Sequence, residues 1–83
     1  MRYWCQIQVL KNGRRDWPYE YAKVSGEVHG FLGGYTQEVR TDSRGIATLE
    51  WSSDERLDKI FVSGKTYHMT VESGESIILN YPV

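Results

Sequence analysis

Nucleophilic catalysis needs a base beside a serine, cysteine or threonine, and this chain offers only two histidines, His29 and His68. Period-two spacing puts both on the polar faces of their strands, the reading for solvated surface histidines. Neither belongs to an HExxH motif, and no pair of cysteines joins them, so no metal centre and no cofactor is expected. The paired carboxylates Asp54 and Glu55, and Glu72 and Glu75, fall in polar turn segments. General-acid work needs a desolvated carboxyl, so these are read as solvating groups. No phosphate-cradling glycine pattern is present, and the chain is expected not to be an enzyme. Cys5, the single cysteine, sits in an apolar alternation without a disulfide partner in the chain, which predicts a buried, inert thiol.

Binding chemistry is better represented. In Arg14-Arg15-Asp16-Trp17-Pro18-Tyr19-Glu20-Tyr21 the aromatics lie beside cations, and exposed flat rings next to hydrogen-bonding groups can stack on sugars or bases. Two roles fit this segment. Arg14, Arg15, Trp17, Tyr19 and Tyr21 form a ligand surface, or Trp17 plugs one end of the fold while Pro18 fixes the loop and the tyrosines begin a strand. Trp4 is a further candidate: its neighbours Tyr3 and Cys5 take the core face, so Trp4 points outward with residues such as Ile78. An outward tryptophan of this kind suggests a self-association surface.

The elements that must position these residues follow from composition and pattern. At 83 residues the chain is one domain, residues 1–83, and three Trp with six Tyr make it too apolar for a disordered segment. No run reaches the roughly 18 apolar residues of a membrane span, so no membrane association is expected. Ten basic and eleven acidic residues give a net charge of −1, which supplies no general attraction for phosphate backbones. Nucleic acid is therefore an unfavoured partner, with Lys11, Arg14 and Arg15 as the candidate contact. The N-terminus lacks a signal-peptide pattern. A cytoplasmic location is expected if Met1 is the native start, and an extracellular one if the chain is cut from a larger secreted protein.

Turn signals recur at Asn12-Gly13, Gly33-Gly34, Asp42-Ser43-Arg44-Gly45, Ser63-Gly64 and Ser73-Gly74. The runs between them are rich in Val, Ile, Thr and aromatics and alternate with period two, the pattern of antiparallel strands. Seven strands are expected, over 2–10, 19–30, 35–41, 46–51, 59–62, 66–71 and 76–81. Ser63-Gly64 reads as a two-residue hairpin loop. The polar run from Ser52 to Asp58 reads as a long connection with room for one capped helical turn. Such strands predict an all-β, seven-stranded antiparallel sandwich of two sheets, with a small, partly open barrel as the alternative.

Three stretches carry a family likeness: Val24-Ser25-Gly26-Glu27-Val28, Thr41-Asp42-Ser43-Arg44-Gly45-Ile46-Ala47-Thr48-Leu49, and Ile60-Phe61-Val62. Together they resemble the bacterial carboxypeptidase regulatory-like and transthyretin-like modules, Ig-like sandwiches of the prealbumin type, over about half of the chain. Those families carry a Thr-Asp-x-x-Gly corner followed by small and large apolar residues in alternation. The chain departs from them after the second strand, where His29-Gly30-Phe31-Leu32-Gly33-Gly34 replaces a Pro-rich loop. One enzyme family of this fold, the hydroxyisourate hydrolases, ends in Tyr-Arg-Gly-Ser; here the last residues are Asn80-Tyr81-Pro82-Val83, so the likeness does not imply that activity.

The resemblance and the missing catalytic constellation lead to one expectation, a non-enzymatic interaction module. It would bind a protein partner, or itself as a homodimer, through an exposed sheet face or edge. The alternative is a carbohydrate-binding module using Trp17, Tyr19 and Tyr21. The Asp42 to Gly45 turn needs no ligand to explain it: Asp42 can hold the backbone, and Gly45 can take the positive φ.

Overall fold

Cys5, Ile7 and Val9 in the first strand are fully buried and Trp4 is exposed, so alternation along one strand already separates a core face from a wet one. A computed structural model describes residues 2–30 and 34–83. The Gly33 half of the expected Gly33-Gly34 turn lies outside the described residues, as do Phe31 and Leu32 of the loop after the second strand. The strands are β1 (Tyr3–Lys11), β2 (Lys23–Val28), β3 (Val39–Arg40), β4 (Ile46–Trp51), β5 (Leu57–Val62), β6 (Lys65–Val71) and β7 (Ser76–Tyr81).

They form a three-stranded sheet, β4-β1-β7, and a four-stranded sheet, β3-β2-β5-β6. Among the described residues no ladder joins the two, so the fold is a sandwich and not the barrel alternative. Ile7, Val9, Leu49 and Trp51 from one sheet meet Val24, Leu57, Ile60 and Val62 from the other in a single buried cluster. That burial is the dominant stabilising term of so small a domain.

One pairing differs from the all-antiparallel expectation. β7 runs parallel to β1, with Ile7 opposite Ile77 and Val9 opposite Leu79. Parallel neighbours need a long connection, and here the rest of the chain supplies it. Strand ends differ as well. β2 begins only at Lys23 because Tyr21 takes a left-handed backbone, φ 59°, that no strand continues through. β3 shrinks to two residues because buried threonines flank it. Thr36 Oγ1 accepts the Gly26 amide at 2.9 Å and Thr41 Oγ1 accepts the Ala22 amide at 2.8 Å, each hydroxyl replacing a ladder carbonyl.

β5 starts earlier than expected, at Leu57, and carries an irregularity in its register between Leu57 and Lys59. The Ser52 to Asp58 connection forms no helical turn. Ser53 instead takes the Glu55 amide, and the Trp51 indole donates to the Glu55 carbonyl at 2.8 Å. The Ser63-Gly64 loop is the two-residue hairpin its sequence implies, both residues at positive φ. No helix of the described residues is long and apolar enough to cross a membrane.

Candidate functional site

The Arg14 to Tyr21 segment begins after a tight turn in which Asn12 and Gly13 both have positive φ. It then pairs with the end of β1: the Lys11 amide donates to the Trp17 carbonyl and the Tyr19 amide to the Val9 carbonyl, each at 2.9 Å. This pairing separates the candidate residues. Arg14 is occupied by Asp16 in a two-pronged ion pair, Nε to Oδ1 at 3.1 Å and Nη2 to Oδ2 at 2.8 Å. That contact raises the guanidinium pKa further and lowers that of the carboxyl. Arg15 is exposed.

Lys11 lies over two rings of the segment, its Nζ 5.3 Å from the Trp17 centroid and 5.0 Å from that of Tyr19. Trp17 is 40% exposed and takes no place in the core cluster, so it does not plug the sandwich. Tyr19 does pack against the core and meets Tyr81 edge to face at 4.8 Å. Lys11 covers a face of each, and Arg40 covers a face of Tyr21, which is 71% exposed. Tyr19 and Tyr21 border one depression, and Trp17 does not line it.

Tyr21 borders the outer face of the four-stranded sheet. Tyr21, Lys23, Ser25 and Glu27 follow one another along the β2 side of that face. Arg40 stands opposite Lys23 on β3, and Phe61 stands opposite Ser25 on β5. The Arg40 guanidinium carbon sits 4.7 Å from the Tyr21 centroid, and Nη1 donates to the Tyr21 carbonyl at 3.2 Å. Farther along, the exposed Tyr35 ring tilts against Phe61 at 5.9 Å. A shallow depression of about 390 Å³ lies between Tyr21, Arg40 and Phe61.

On the other sheet, Trp4 and Ile78 both face outward, at 45% and 57% exposure. They do not form one apolar patch. Ile78 stands beside Gln8, whereas Trp4 stands beside Gly74, with the Gln6 and Ser76 pair between them. More distinctive is the free side of β7. The Gln6 amide donates to the Glu75 carbonyl and the Asn12 amide to the Tyr81 carbonyl, each at 2.9 Å, so alternate β7 residues turn their main-chain groups toward β1. Ser76, Ile78 and Asn80 turn theirs away. Among the described residues only the Asn80 carbonyl of that set has a partner, the Tyr67 hydroxyl at 2.7 Å.

His68 is exposed on β6, as its parity implies. His29 is half-buried, and its Nδ1 lies 2.6 Å from Asp58 Oδ2, while Arg56 Nε reaches Asp58 Oδ1 at 3.3 Å. His29 and Arg56 hold the Asp58 carboxyl below its ordinary pKa, the histidine hydrogen bond being the larger effect. The sequence pattern does not reveal this cluster because it starts the strand at Lys59 and leaves Asp58 in the polar connection, whereas β5 begins at Leu57 with an irregular register before Lys59. No hydroxyl or thiol among the described residues is hydrogen-bonded to either histidine. The described residues contain no group of three or more His, Cys, Asp and Glu suited to a metal ion.

No family model matches this chain, and no curated protein matches it.

Proposed function

We propose that this chain is a non-enzymatic interaction module, a sandwich of the carboxypeptidase regulatory-like or transthyretin-like kind, whose β7 edge receives a second copy of itself. The observation that carries the reading is the edge strand Ser76-Ile77-Ile78-Leu79-Asn80-Tyr81. It is uncharged, rich in β-branched and aromatic residues, and among the described residues unpaired on its outer side at Ser76 and Ile78. Edges of soluble sandwiches are ordinarily blunted by lysine, proline or a bulge, and the length of β7 has none of these. A two-fold axis through Ile78 would pair Ile78 with its own copy and continue the sheet across the dimer.

Light scattering on the purified chain over a range of concentrations tests this. A dimer is expected for the natural chain and a monomer for Ile78→Lys, which puts a charge on the axis. A natural chain that stays monomeric at every concentration overturns the self-contact reading.

A further inference from the structure

Two local rules of sheet construction are broken within one turn of chain. Lys23 and Arg40 stand directly opposite each other on β2 and β3, both exposed, an arrangement that opposes like charges across a ladder. Among the described residues no carboxylate forms an ion pair with either, although Glu38 lies on the same face. Two residues before Lys23, Tyr21 holds a φ of 59°, a left-handed region that a bulky residue rarely adopts. Arg40 secures that conformation from both sides, bonding the Tyr21 carbonyl and stacking on its ring. The result is an exposed aromatic ring fixed beside two cations that have no ion-pair partner among the described residues.

We infer that the outer face of the four-stranded sheet between Tyr21, Lys23, Arg40 and Phe61 binds a sugar ring that carries a carboxylate. The acid would lie between the Lys23 ammonium and the Arg40 guanidinium, where it relieves their mutual repulsion. The ring would lie against Tyr21 and Phe61, as flat apolar sugar faces do on aromatic side chains. Ser25, Ser63 and the Glu38 carboxylate border the depression and can take the hydroxyls. A neutral sugar leaves the cations opposed, and a bare anion leaves the rings uncovered. The site is on the opposite sheet from β7 and is independent of the edge contact.

Amide NMR titrations with trigalacturonate, neutral galactotriose and a short single-stranded oligonucleotide decide the matter. Trigalacturonate is expected to give saturable shifts at Lys23, Ser25, Arg40 and Phe61. Galactotriose should bind about tenfold more weakly, the equivalent of one charge-assisted hydrogen bond. Lys23→Gln and Arg40→Gln should each remove that difference while core amides such as Ile7 and Ile60 keep their positions. The inference is overturned by absence of saturable shifts with trigalacturonate, or by equal affinity for the neutral trimer. It is equally overturned by shifts confined to Arg14–Trp17, or by an oligonucleotide that binds this face as well as trigalacturonate does.

Discussion

Gly45 is pressed against Val9. Its carbonyl accepts the Val9 amide at 2.8 Å, and a β-carbon on Gly45 would overlap the Val9 carbonyl oxygen, which itself accepts the Tyr19 amide at 2.9 Å. Three segments meet there through main-chain atoms, so the turn that begins at Asp42 is anchored to β1 and to the Trp17–Tyr19 stretch together. Gly45→Ala should destabilise the chain by about 3 kcal/mol, combining a left-handed φ of 76° with a clash that only backbone movement relieves. Gly64→Ala provides the control. Its φ is 87°, but nothing among the described residues lies within 4 Å of the added carbon, so only the conformational part, about 1 to 2 kcal/mol, should appear in urea unfolding.

Tyr21 separates backbone strain from side-chain contact. Tyr21→Gly and Tyr21→Ala both remove the ring and its stacking with Arg40, yet only glycine accepts a φ of 59° without cost. Tyr21→Gly should be the more stable of the two by about 1 kcal/mol in chemical denaturation. Equal stabilities would mean that the main chain relaxes once the ring is gone.

Acid stability should depend on Asp42 and Asp58. The amides of Ile46 and Arg44 hold the Asp42 carboxyl below its ordinary pKa, and His29 with Arg56 does the same for Asp58. A carboxyl with a lowered folded pKa contributes stability that is fully present above its unfolded pKa, about 4, and is lost as pH falls through the folded value. The melting temperature should therefore drop below about pH 4, and Asp42→Asn or Asp58→Asn should each flatten that drop. Asp16→Asn should not change it measurably. The Arg14–Asp16 pair is exposed on both sides, 60% and 70%, where water screens the attraction.

Cys5 should be silent in the folded protein. Burial first, and the charge of Glu75 second, push its thiol up to about 11, which leaves little thiolate at neutral pH. A disulfide reagent at pH 8 should label it slowly in buffer and rapidly in denaturant. Stoichiometric labelling of the native chain within the mixing time would contradict the buried position.

Much of the fold was legible in the sequence because its signals are local. The bounds of β4 and β7, the Ser63-Gly64 hairpin and the Asp42 to Gly45 turn follow from alternation and from residues suited to positive φ. Inward positions such as Cys5, Ile7 and Leu49 follow from parity. Less was legible where side chains intervene in the ladder. Thr36 and Thr41 shorten β3 with their hydroxyls, and an irregular register at Asp58 builds the His29 cluster.

The candidate surfaces divide in the same way. Residue type alone marked Trp17 and Tyr21 as aromatics beside cations. The sequence by itself thus determined an all-β chain, its turns and the polarity of its faces, because neighbours a few residues apart control these. Only the tertiary structure decided that Lys11 covers Trp17 and Tyr19, that Arg40 opposes Lys23, and that β7 lies parallel to β1 with Ser76 and Ile78 unpaired on its outer side among the described residues. Each of those depends on register between segments distant in sequence, which packing of the two inner faces sets and no local pattern records.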